Sequence, residues 1–183
     1  VAGSTKDRSA KPVITIEDNR KTTAFSIVEA QWAELLEAAD GPFTVSIPVR
    51  NQSDSVVGVL DAGKLNDLSS REGAFEIQTE NGSYTLPAHA VDTSSIAEQF
   101  GSDIPLGDIG IRIELTNVPD DRIRFTQEEN GRITLIAPAI DFRITALYDG
   151  REIAIDRFDS YVTRMIAIPA TVDPGKVTTG VVM

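Results

Sequence analysis

One histidine and no cysteine bound the chemistry open to this chain. His89 is the only side chain that could serve as the base of a Ser-His-Asp triad, and Ser83 and Asp92 lie close to it in sequence. Such a triad needs its three groups in hydrogen-bond order in space, which nearness along the chain does not supply. No Gly-x-Ser-x-Gly elbow accompanies them. His89 follows Pro87-Ala88 at a strand-to-helix turn and reads as a surface-turn residue. Asp103, Asp108, Asp120 and Asp121 could converge on a hard cation, but calcium wants six to eight oxygens and no D-x-[DN]-x-[DN]-G run is present. They read as solvated loop charge. Acidic residues are numerous enough that a glycosidase-like carboxylate pair cannot be nominated. Neither G-x-G-x-x-G nor G-x-x-x-x-G-K-[ST] occurs, which argues against nucleotide chemistry. The expectation is no catalytic residue, no metal site, no cofactor and no enzymatic activity. The remaining candidates for a site are three tyrosines on predicted strands, Tyr84, Tyr148 and Tyr161, which could stack on sugar rings. Trp32, by contrast, belongs to the apolar stripe of a predicted helix and reads as core.

Composition narrows the field further. The 183 residues can bury roughly 70% of the unfolded chain's surface without disulfides. Seventeen basic against 28 acidic side chains give a net charge of −11, which repels nucleic acid and anionic membranes at long range. No basic-then-apolar leader and no apolar run near the roughly 18 residues of a membrane span are visible. A chain beginning with Val1 is compatible with a processed or excised piece of a longer one. The lack of cysteine fits export from a Gram-positive bacterium and fits many cytosolic proteins as well.

The elements that must position these side chains follow from periodicity. Residues 1–12 are small and polar, with Lys6, Arg8 and Lys11, and read as a linker or frayed arm. Residues 13–118 form a region of repeated strand-helix-strand units after a short strand from Val13 to Ile16. Three strands end on Val28, Leu60 and Leu86, which are 32 and 26 residues apart, and each is followed by Glu, Asp or Pro and then Ala. Helical stripes come next: Trp32, Leu35, Leu36 and Ala39; then Ala62, Leu65 and Leu68; then Ile96 and Phe100, with Asp92 and Thr93 as possible caps and Gly101 as a stop. A strand returns after each, marked by Phe43, Val45, Ile47 and Val49, by Phe75 and Ile77, and by Ile109, Ile111, Ile113 and Leu115. Asn81-Gly82 is a type I′ hairpin signal. The order predicts an α+β fold with helices packed on one face of a mostly antiparallel sheet.

Residues 119–183 read as almost pure antiparallel β, packed on or continuous with the preceding sheet. A hairpin is expected around Asn130-Gly131, between Ile123-Phe125 and Ile133-Leu135, and another around Asp149-Gly150. Tyr161 to Ile168 and Val177 to Val182 are further strand candidates. The latter is expected to pair within this region, its free edge covered by a segment outside the chain or by a neighbouring molecule.

Two stretches carry a resemblance. Glu76-Ile77-Gln78-Thr79-Glu80-Asn81-Gly82-Ser83-Tyr84-Thr85-Leu86-Pro87 resembles the strand, Asn-Gly turn and Ser-Tyr-x-Leu-Pro signature of a module found upstream of S-layer homology repeats in Gram-positive cell-surface proteins. Tyr161 to Pro169, with Val172-Asp173-Pro174 and Lys176 to Val182, resembles its second signature. The similarity runs from about Ser55 to Met183. It departs between Asp120 and Ala137, where the family is often helical and alanine-rich and this chain reads as a hairpin.

The resemblance implies an extracellular location at the cell surface or cell wall and a non-catalytic structural or spacer role beside other domains of the same surface protein. Wall anchoring would reside in repeats elsewhere in the parent chain. The alternative is a carbohydrate-binding module that recognises cell-wall or plant polysaccharide through a tyrosine-bearing β face.

Overall fold

The computed structural model describes residues 5–6, 12–27, 29–37, 41–101, 103–119, 137–173 and 175. The fold is α+β and strand-dominated, with two mixed sheets. Its strands are β1 (Thr5–Lys6), β2 (Val13–Glu17), β3 (Arg20–Ser26), β4 (Thr44–Pro48), β5 (Ser55–Asp61), β6 (Ala74–Gln78), β7 (Gly82–Pro87), β8 (Gly110–Val118), β9 (Ala139–Tyr148), β10 (Arg151–Ala154) and β11 (Thr163–Ile166). The helices are α1 (Glu29–Glu37), α2 (Ala62–Ser70) and α3 (Thr93–Phe100). One sheet runs β1-β4-β6-β7-β11 and the other β10-β9-β8-β5-β3-β2. Among the described residues, only the β1–β4, β3–β5 and β4–β6 pairings are parallel.

The strand-helix-strand units are present, but each helix carries the chain from one sheet to the other. β3-α1-β4 and β5-α2-β6 cross in one direction and β7-α3-β8 returns. The single sheet with helices on one face therefore gives way to a sandwich with helical crossovers. Repeating the same crossover sets β3 parallel to β5 in one sheet and β4 parallel to β6 in the other. The core lies between the sheets. Gly58 on β5 faces β6 so closely that a Cβ there would sit 2.9 Å from Ile77 and 3.1 Å from Phe75. Trp32, Leu35, Leu65, Leu68, Ile96 and Phe100 are all buried, as their helical stripes predict. Asp61 caps α2 by accepting from the Lys64 amide at 2.8 Å, and Asp92 caps α3 by accepting from the Ser95 amide at 3.0 Å.

Within the stretch read as an arm, Thr5–Lys6 pair in parallel with Thr44–Val45. After residue 118 the sheets continue: β9 pairs with β8 along its length, β10 extends the same sheet, and β11 joins the other beside β7. The segment between β10 and β11 is tied to β9 by the Ile155 amide on the Ile144 carbonyl and to the turn after β7 by the Asp159 amide on the Ala90 carbonyl. The expected hairpin at Asn130-Gly131 and the strand from Val177 to Val182 lie outside the described residues.

Turn chemistry divides. Asp149-Gly150, with φ of 47° and 73°, makes the two-residue turn between Tyr148 and Arg151 that its sequence announces. Asp18-Asn19, with φ of 48° and 61°, makes another between β2 and β3. The β6–β7 hairpin exists, but neither Asn81 nor Gly82 takes a positive φ, so the type I′ expectation is corrected. The turn is centred on Glu80-Asn81 instead. Thr79 closes it through its amide and hydroxyl, each 2.8 Å from the Gly82 carbonyl.

Candidate functional site

The structure separates the triad candidates. His89 is exposed on a single 3₁₀ turn, Ala88–Ala90. Ser83 is buried on β7 between Gln78 and Met165 of the flanking strands. The Asp92 carboxylate is occupied as the cap of α3. Asp103 and Asp108 are exposed in the connection between α3 and β8, while Asp120 and Asp121 lie outside the described residues.

The tyrosines do not share a face. Tyr84, read from sequence as a stacking ring, is 1% exposed and points between the sheets. It packs on Phe142 with ring centroids 5.4 Å apart, and the Arg164 guanidinium covers both rings at 5.6 and 5.5 Å. Burial pushes its phenol pKa up, and the positive charge of Arg164 pulls the other way. Tyr148 is half-buried at the end of β9 against Phe100, at 5.9 Å. Tyr161, just before β11, is 97% exposed. Parity along β7 carries the missed signal: Gly82, Tyr84 and Leu86 share one face, and Leu86 marks that face as core.

A polar cleft of about 510 Å³ opens between the 51–54 loop, the β6–β7 turn and the ends of β8 and β9. Lys21, Asn51, Ser53, Asp54, Asn81 and Asn117 contribute to its wall. Most of their polar groups bond to one another. The Lys21 amide donates to Asp54 Oδ2 at 2.7 Å, and the Asp54 and Asn117 amides donate to the Lys21 and Asp54 carbonyls at 2.8 Å each. Asn51 Nδ2 donates to Thr23 Oγ1 at 3.0 Å, and that hydroxyl lies 2.7 Å from Ser53 Oγ. Asn117 Nδ2 donates to the Ser53 carbonyl at 3.1 Å, while its Oδ1 accepts from Asn81 at 3.3 Å. This network fixes the loop joining the two crossover units.

A second charged cluster was not singled out from the sequence. Lys64 on α2 is buried, with Nζ 2.7 Å from Glu29 and in contact with the Asp61 carboxylate. Burial disfavours its charge, but the hydrogen bonds and charges of Asp61 and Glu29 outweigh this and raise its pKa above the ordinary 10.5. The signal lay in the repeat. Glu29 and Asp61 occupy equivalent positions after two strands that prove to be parallel neighbours, so both carboxylates arrive at the same end of the sheet. Among the described residues no group of three or more His, Cys, Asp or Glu side chains is placed to hold a metal ion, and no helix is long and apolar enough to cross a membrane.

The chain matches no family model, no curated protein and no solved structure.

Proposed function

We propose that this chain is a non-catalytic structural module of an exported bacterial cell-surface protein, with S-layer-type anchoring elsewhere in the parent polypeptide. One observation carries the reading. The two stretches that resemble the surface-protein module, 76–87 and 161–169, are about 80 residues apart in sequence and yet form adjacent strands, β6-β7-β11. Two signatures that meet in one sheet behave as parts of a single structural unit. Two polar features are also committed to local structure: the Asp92 carboxylate caps a helix, and the polar cleft spends its groups on ordering a loop. The partners this role implies are the neighbouring domains of the same surface protein. The test is immunodetection of the protein in fractionated cells of its native host. The reading expects it in the wall fraction, and recovery in the cytosol alone would overturn it.

The exposed ring of Tyr161 supports a second reading, a carbohydrate-binding module. Pull-down by insoluble wall polysaccharide or β-glucan that is lost on Tyr161→Ala would support it. A spacer binds neither.

A further inference from the structure

Asn81-Gly82 carries a reactivity that the packing of the molecule does not use. When glycine follows asparagine, no Cβ crowds the glycine nitrogen, and it can attack the asparagine side-chain carbonyl carbon, Cγ. Hydroxide takes the glycine N–H proton, the nitrogen closes a five-membered succinimide on Cγ, and ammonia leaves with a proton drawn from water. Water then opens the ring at either carbonyl. One product is aspartate. The other is isoaspartate, in which the main chain runs through the former side chain and is longer by one methylene. Nothing is oxidised or reduced, and water is the only co-reactant.

The reaction needs three freedoms, and the fold removes each. The Asn81–Gly82 peptide group must turn to bring its nitrogen to Cγ, yet it is bonded at both ends. Its carbonyl accepts from the Ala167 amide at 2.8 Å, and its N–H donates to Thr79 Oγ1 at 3.1 Å. The N–H proton must be released to base, and the same bond to Thr79 retains it, as hydrogen-bonded amides are retained against exchange. The side chain must swing toward Gly82, yet Asn81 Nδ2 donates to Asn117 Oδ1 at 3.3 Å, and Asn117 is tied in turn to the Ser53 carbonyl at 3.1 Å. Thr79 is itself fixed, its hydroxyl donating to the Gly82 carbonyl at 2.8 Å. One of these restraints comes from outside the turn. Ala167 directly follows β11, so the peptide group is clamped at both ends only while β11 lies on β7.

We propose that Asn81 is a latent deamidation site, closed while β11 is docked on β7 and opened when β11 leaves, and that conversion to isoaspartate keeps β11 from returning. The second half follows from the crowding at Gly82. A Cβ there would meet the Met165 carbonyl, so an extra backbone methylene one residue earlier, which displaces Gly82, cannot be absorbed while β11 keeps its register. The new carboxylate also arrives beside Glu80, in the wall of the cleft that holds Asp54, where like charges repel. The turn thus records a departure of β11 as an irreversible chemical change.

Conversion is followed at one pH by peptide mapping of the whole chain, which separates Asn81 from the Asn130-Gly131 pair. In the folded chain Asn81 should convert at least about tenfold more slowly than in urea, because reaction waits on local opening. Thr79→Val removes the acceptor of the Gly82 N–H, and Ala167→Pro removes the donor to the Asn81 carbonyl. Each should raise the folded-state rate several-fold, whereas Thr79→Ser, which keeps the hydroxyl, should not. Thermal midpoints above the assay temperature verify that the variants are folded. The isoaspartate fraction, isolated by ion exchange on its added charge, should show β11 and Ala167 deprotected to hydrogen exchange, with β5 and β8 unchanged. A folded chain that converts as fast as the urea-unfolded one overturns the shield without recourse to any variant. A folded Thr79→Val or Ala167→Pro protein no faster than Thr79→Ser overturns the clamp, and an isoaspartate fraction with β11 still protected overturns its consequence.

Discussion

Gly82→Ala is the substitution whose outcome depends most directly on how the two resembling stretches meet. An alanine Cβ at this position would run into the Met165 carbonyl oxygen and sit 3.0 Å from Ile140. The Ile140 contact involves the end of a side chain and can relax. The carbonyl belongs to the backbone of β11, held to β7 by pairings from Gly82–Ile166 to Thr85–Thr163, so relief requires the two strands to part. Gly82 does not take a positive φ, and alanine should otherwise gain about 0.4–1 kcal/mol through the unfolded chain. Overpacking of a fixed contact costs about 1–3 kcal/mol, so the balance is a net loss of about 1–2 kcal/mol. For a domain of this size that lowers the thermal midpoint by about 2–8 °C. Gly107→Ala is the matched control, because nothing lies within 4 Å of its Cβ position, and it should be neutral or slightly stabilising. Calorimetry on both variants gives the signs. Hydrogen exchange should locate the loss, with amides of β7 and β11 deprotected and those of β5 and β8 unchanged. A Gly82→Ala protein as stable as the Gly107→Ala protein, with β11 still protected, would refute the close approach.

Leu35→Ala and Leu65→Ala each truncate a buried crossover side chain and should cost about 2–5 kcal/mol in urea unfolding, while unchanged midpoints for both would sink the helix packing described above. Asp61→Ala removes the cap of α2 together with one partner of Lys64, and should cost about 1–3 kcal/mol. Asp61→Asn keeps a cap acceptor, so its loss should be the smaller of the two. Because the folded state raises the Lys64 pKa, it holds that proton more tightly than the unfolded chain does. The resulting stabilisation is complete below about 10.5 and is lost as the pH climbs through the raised value. The stability gap between the unmodified chain and Lys64→Met should therefore hold steady up to about pH 10 and narrow only above about 10.5, and a gap that widens there would contradict the assignment.

Much of the fold was legible because it rests on periodicity. Ile109, Ile111, Ile113 and Leu115 alternate and are buried on β8, and Trp32 and Leu35 fall on one helical stripe and are buried on α1. The allocation of strands to sheets was not legible, and the reason is physical. Period-2 alternation reports that one face of a strand meets a core. It carries no information on which of two sheets supplies that face. A helix returning to its own sheet and one crossing to the other bury the same stripe. The turn at Thr79 to Gly82 shows a second limit. Asn-Gly permits a type I′ turn, but the Thr79 hydroxyl offers the Gly82 carbonyl and amide a competing partner, and glycine is used instead for the approach of β11.

The candidate site was misread for a related reason. Tyr84, Tyr148 and Tyr161 were grouped by residue type, whereas burial follows the face on which each ring lies. Tyr84 shares its face with Leu86, so the residue most prominent in the resembling Ser-Tyr-x-Leu-Pro stretch serves packing rather than recognition. Its partners come from both sheets: Phe142 on β9, and Arg164 on β11, itself within the second resembling stretch. The three-group stack ties the β6-β7-β11 edge across the core to the larger sheet. That arrangement gives the two short, distant sequence patterns one shared packing role. Each supplies one part of a joint, the first its buried ring and the second the guanidinium that covers it. A chain that kept one pattern and lost the other would leave Tyr84 uncovered at the rim of the sandwich.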